Sequence, residues 1–182
     1  AIAAFEQLGD DAELARTLSA PLQPLLLIGR YDEALASAER ARTLFDVQGD
    51  AVRFARLDVM IGNLLHRQDR FADAMVCYER AHQALAHLGD ADGVLSAIHN
   101  KAVTLTTLNN FRDALAAYTE ARRLAVDRGL DQAVGQADYN IAWLYYLRGE
   151  YSRAIELLHT AAGTARRTGD GYHAALSLLD LS

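Results

Sequence analysis

Six histidines, one cysteine and 24 aspartates and glutamates carry the reactive chemistry of this 182-residue chain. Their spacing assembles no catalytic or metal centre. A zinc protease needs two histidines on one helix face with a glutamate between them, and no His-Glu-x-x-His run exists. His82 and His87 are five apart, which turns them toward different sides of a helix. His66 and His99 can share a face, but two histidines without a carboxylate fall short of a zinc ligand set. Cys77 lies within a helical stretch and reads as a packed small side chain. As a nucleophile it would need a lowered thiol pKa and a partner base. Gly169-Asp170-Gly171 follows a helix and is no phosphate loop. The acids Asp10-Asp11 and Asp90 with Asp92 stand at helix starts, where negative charge complements the helix dipole. The expectation is no enzyme, no metal and no cofactor. What remains is recognition chemistry. Asn100 and Asn140 offer amides that both donate and accept, and Tyr139, Trp143 and Tyr146 recur at helical spacing.

The elements that must position these residues follow from a repeat. Tyr31, Phe71, Phe111 and Tyr151 are 40 residues apart, and an alanine follows three residues after each: Ala34, Ala74, Ala114 and Ala154. Ala41, Ala81, Ala121 and Ala161 keep the same register, as do Gly9, Gly49, Gly89, Gly129 and Gly169. Each glycine predicts a left-handed helix end, and the aspartate after it, absent only after Gly129, predicts the next N-cap. Shorter turns fall at Gly29-Arg30, Asp69-Arg70, Asn109-Asn110 and Gly149-Glu150, from residues that tolerate the left-handed region. The aromatic after each such turn is expected to wedge between paired helices, with Phe71 and Phe111 fully buried. Gly62, Ala102 and Ala142 are small where helices approach closely.

First helices are therefore expected near 50–67, 90–107 and 130–147, and second helices near 31–47, 70–88, 110–127 and 150–168. The domain reading is one array, a piece of a longer protein. It has a partial repeat at 1–8, a degenerate one at 10–47, full repeats at 50–88, 90–127 and 130–168, and a partial one at 170–182. Pro21 and Pro24 should kink or split the first helix of the degenerate repeat.

Hydrophobic residues make up 51% and charged residues 23%, as in folded globular chains. No apolar run reaches the roughly 20 residues a membrane helix needs. A net charge of −6 argues against nucleic acid as partner. The single cysteine fits a reducing, cytoplasmic setting.

The run Gly149-Glu150-Tyr151-Ser152-Arg153-Ala154-Ile155 resembles the helix–turn–helix corner of the tetratricopeptide repeat, and Gly29-Arg30-Tyr31-Asp32-Glu33-Ala34-Leu35 matches equally well. The resemblance spans nearly the whole chain. It departs from the commonest form in its 40-residue period and in the Gly-Asp that replaces the inter-repeat proline. Units of this length are similar to those of spindle-orienting adaptors, kinesin light chains and bacterial signalling proteins. Asp138 through Ser182 resembles arrays that precede a caspase-like CHAT protease.

The resemblance implies an all-α, right-handed superhelical solenoid of antiparallel helix pairs, whose first helices line a concave groove that binds a protein or peptide. It also implies that Asn100 and Asn140, eleven residues before a corner aromatic, occupy a position where such repeats carry asparagine. There they would grip a peptide main chain or tie neighbouring helices together. Asn63 extends the row, and Met60 interrupts it. Around them the groove is expected to hold Arg56, His66, Arg67 and His99 from one stretch. Val103, Thr106, Gln136, Tyr139, Trp143 and Tyr146 come from another. These positions carry arginine and hardly any carboxylate, which predicts an acidic segment or a free C-terminal carboxylate as partner. The alternatives are a spacer or oligomerisation module, with Leu176, Leu178, Leu179 and Leu181 favouring an end-to-end homodimer, or an intramolecular regulator of a linked caspase-like protease.

Overall fold

In the computed structural model, which describes residues 1–181, eleven α-helices succeed one another and no strand occurs among the described residues. The first three are short: α1 (Ile2–Leu8), α2 (Asp11–Ser19) and α3 (Leu22–Leu27). Then come α4 (Tyr31–Val47), α5 (Ala51–Arg67), α6 (Phe71–His87), α7 (Ala91–Thr107), α8 (Phe111–Asp127), α9 (Asp131–Leu147), α10 (Tyr151–Thr168) and α11 (Gly171–Leu179). The 40-residue period has a simple origin. From α4 to α9 every helix has 17 residues, and three-residue turns separate them.

Each turn is closed by the chemistry its residues carry. Gly49 and Gly89 adopt φ of 70° and 72°, a region that costs other residues about 1–2 kcal/mol. Asp69 and Asn109 occupy the same region at φ 58°, the two residue types that tolerate it best. The next N–H then reaches back five residues, from Asp50 to the Phe45 carbonyl and from Arg70 to the Leu65 carbonyl, both at 2.9 Å. Asp10, Asp50 and Asp170 cap α2, α5 and α11 by accepting from the N–H of Glu13, Arg53 and His173. Leu130, which breaks the aspartate series, makes no side-chain cap. The chain splits at Ala20–Pro21, as the prolines require. Pro24 is tolerated in the first turn of α3, where backbone N–H groups have no intrahelical partner.

The chain forms two compact units, one from Ala1 to Asn100 and one from Lys101 onward. In the first, α4 packs on α2, α3 and α5, and α5 packs on α6. In the second, α9 packs on α8 and α10, and α11 packs on α10 and α9. Small residues let the helices meet: Ala34, Ala74, Ala114 and Ala154 are at most 2% exposed.

The corner aromatics are not the buried wedges that the repeat predicts. Phe71 and Phe111 are only half-buried, and Tyr151 is 59% exposed. Each is the first residue of its helix, so one side of the ring stays open at the end of the pair. The space between paired helices is filled seven residues later, by Tyr78 and Tyr118 at 1% and 2% exposure. Burying such a ring is worth about 2–3 kcal/mol. Gly62 makes room for the first of them, since a Cβ there would lie 2.5 Å from Tyr78 Cε1.

Two buried carboxylates complete the core. Asp58 and Asp138, 80 residues apart, are each 1% exposed in the middle of apolar helix faces. Arg80 Nε and Nη2 both donate to Asp58 at 2.6 Å, and Arg42 Nε approaches to 3.4 Å. Arg122 donates to Asp138 at 2.5 and 3.3 Å. Arg42–Asp58 and Arg122–Asp138 therefore tie a second helix to the first helix of the next pair.

Candidate peptide-docking face

The expected groove residues divide between the two units. In the first, α5 presents Arg56, Asn63, His66 and Arg67. Arg56 is exposed yet already engaged, donating through Nε and Nη2 to Asp90 at 2.5 and 2.8 Å. Its guanidinium is held further above its usual pKa by that hydrogen bond. Asn63 accepts from the Tyr78 hydroxyl at 2.9 Å, so it ties paired helices together. His66 packs edge-on against Phe71 at 5.2 Å, and burial pushes its pKa below the usual value. Arg67 is exposed, whereas His99 and Asn100 on α7 are half-buried.

In the second unit five of the expected residues meet in one pocket of about 380 Å³. Val103 and Thr106 come from α7, and Tyr139, Asn140 and Trp143 from α9. Thr107, Tyr118 and Asp180 join them, and sequence reasoning assigned none of these three to the site. Trp143 is 39% exposed and stacks on the 50% exposed Tyr146, with centroids 5.2 Å apart and planes 21° off parallel. Tyr139 donates its hydroxyl to Asp180 at 2.9 Å. Burial, with the carboxylate beside it, holds that phenol neutral far above its ordinary range. Asn140 Nδ2 donates to the Gln136 carbonyl of its own helix at 2.7 Å. Gln136 lies outside the pocket and reaches Asp170 at 3.4 Å.

These contacts correct the expected electrostatics. Of the two arginines expected to make the face basic, Arg56 is spent on Asp90, which caps α7, while Arg67 is exposed. A carboxylate, Asp180, is the charged group among the described residues lining the pocket. Sequence position hid both effects, because Asp90 and Asp180 lie in turns and the groove was read from helices alone. The Asp58 and Asp138 anchors were also missed. Their signal was present as an arginine 16 residues before each aspartate, at Arg42 and Arg122.

A larger pocket, about 610 Å³, opens between α8 and α10 over Asp138 and Tyr145. Its cations are already paired, Arg122 with Asp138 and Arg153 with Glu150. Cys77 is buried, and desolvation pushes its thiol pKa up, away from nucleophilic use. Among the described residues no three His, Cys, Asp or Glu side chains converge as a metal ion would need. Among the described residues no helix is long and apolar enough to cross a membrane.

Tetratricopeptide-repeat models match residues 53–125 and 139–172, together more than half of the chain. The chain is a tetratricopeptide-repeat protein. Its repeats share their fold with aspartyl phosphate phosphatase F from Bacillus subtilis, at 13% identity and a TM-score of 0.85, over 91% of this chain and 43% of that one. A Rap protein complexed with Competence and Sporulation Factor is similar at 17% identity and TM-score 0.83, over 91% and 46%. BtubC (BKLC) from P. vanneervenii is similar at 20% identity and TM-score 0.80, over 98% and 74%. At these identities the likeness is one of fold. This tetratricopeptide-repeat chain spans less than half the length of the first two. No curated protein matches it.

Proposed function

We propose that this tetratricopeptide-repeat chain is a protein-interaction module that docks a peptide segment on its first-helix face, with the Trp143 pocket as anchor. In this reading it serves as the sensor or recruiting arm of a bacterial signalling protein. The observation that carries it is the stacked, half-open pair of Trp143 and Tyr146 beside an amide and a carboxylate. Large aromatics left open beside a few placed polar groups are the usual make-up of a binding hot spot. The fold-similar Rap protein, solved complexed with a factor, fits a ligand-binding use of such stacks.

Peptides selected against the chain from a displayed random library provide the test. Asn140→Ala with Trp143→Ala should weaken the selected peptides by more than about tenfold, the usual loss at a hot spot, while far-UV circular dichroism stays unchanged. Undiminished affinity in that variant removes the pocket from the account.

A second reading, self-association, draws on Tyr172, Leu178 and Leu179 of α11, which are 69%, 47% and 68% exposed. Sedimentation at several concentrations separates the two readings, because a strict monomer excludes self-association.

A further inference from the structure

We infer that the Trp143 pocket takes a cationic side chain, an arginine or lysine presented by the docked peptide. The inference rests on the docking reading above and adds the chemistry of the occupant. It follows from the charge and the aromatic surface of the pocket.

The threonine hydroxyls and the Tyr139 hydroxyl are already committed inside the protein. Thr106 Oγ1 donates to the Ala102 carbonyl at 2.8 Å, and Thr107 Oγ1 donates to the Val103 carbonyl at 3.1 Å. Asn140 Nδ2 gives one of its two N–H groups to the Gln136 carbonyl, and the Tyr139 hydroxyl is spent on Asp180. The acceptor capacity left open includes the Asn140 carbonyl oxygen and the remaining lone pairs of the Asp180 carboxylate. No lysine, arginine or histidine is among the described residues that line the pocket.

A pocket whose charged group is a carboxylate with open lone pairs suits a ligand that donates and carries positive charge. Ammonium and guanidinium groups are donors without acceptors, and both carry the charge that complements Asp180. The Trp143–Tyr146 pair supplies the aromatic surface on which a cation gains further. A glutamate or a C-terminal carboxylate would meet a like charge at Asp180. An aliphatic side chain would leave the Asp180 carboxylate and the Asn140 carbonyl without a new partner.

The chain contains one tryptophan, and it sits in this pocket, so its emission reports occupancy directly. The probes are three end-capped hexapeptide pools with one central position fixed as arginine, norleucine or glutamate and the rest randomised. Each is titrated into the full 182-residue chain and followed by Trp143 fluorescence and calorimetry. The arginine pool should bind about tenfold tighter than the other two, the order of one charge-assisted hydrogen bond. That margin should vanish in Asp180→Asn, which keeps an acceptor for Tyr139 but removes the charge. Equal or tighter binding of the norleucine or glutamate pool, with a Trp143 response, overturns the cationic occupant while peptide docking stands. An arginine preference that survives Asp180→Asn also overturns it. If no pool changes Trp143 emission or releases heat, the docking reading falls and this inference with it.

Discussion

Replacing Arg122 with methionine tests whether the buried carboxylates hold neighbouring repeats together. The Asp138 side chain is 2% exposed and takes two hydrogen bonds from that guanidinium. Methionine preserves much of the aliphatic volume but leaves the carboxylate without its cation. Stripping one partner from a buried pair costs about 3–5 kcal/mol. The open pocket of about 610 Å³ beside Asp138 admits water to one side, which places the loss near the lower end, about 3 kcal/mol. Arg80→Met should cost less, about 1–2 kcal/mol, because Arg42 Nε stands 3.4 Å from Asp58 and can take over part of the pairing. The double variant Arg122→Met with Asp138→Leu removes both charges and should recover most of the loss. Urea unfolding followed by Trp143 fluorescence reads the unit that contains the pair. The reasoning fails if Arg122→Met loses less than about 1 kcal/mol, or if the double variant is no more stable than the single one.

Tyr118→Ala should destabilise more than Phe111→Ala, by about 1–2 kcal/mol, because the tyrosine is 2% exposed and the phenylalanine only half-buried. Urea midpoints of the two variants settle the order, and the reverse order would restore the corner aromatic as the wedge. A pH dependence follows from Asp170. Burial pushes its carboxyl up, but hydrogen bonds from the His173 backbone and ring, Gln132 and Gln136 outweigh this and hold its pKa at about 2. The folded pKa lies below the unfolded value near 3.9, so its contribution is complete above that value and is lost as pH falls toward 2. Asp170→Asn should flatten the acid limb of a stability–pH profile between those values, and an unchanged limb would contradict the assignment.

How much of this was legible in the sequence depends on whether a feature is local. Helix spans and turns were legible because Gly49, Asp69 and Asn109 state a backbone conformation by residue type alone. The close-packed alanines were legible for the same reason. The corner aromatics misled because hydrophobicity gives the preference for burial but not which ring reaches the centre. Tyr78 and Tyr118 lie about two turns further from the helix end and do reach it. Tyr139 and Trp143, grouped by helical spacing, and Asn140, grouped by its offset from the corner aromatic, line one pocket. The charge of their surroundings was not legible, because Arg56–Asp90 and Tyr139–Asp180 span 34 and 41 residues and depend on how the pairs stack.

The most direct test of the central claim is a crystal structure of the chain with a peptide selected from the displayed library. The account predicts peptide density on the first-helix face, in contact with Trp143 and Asn140. Density confined to the pocket between α8 and α10, or to the exposed leucines of α11, would contradict it.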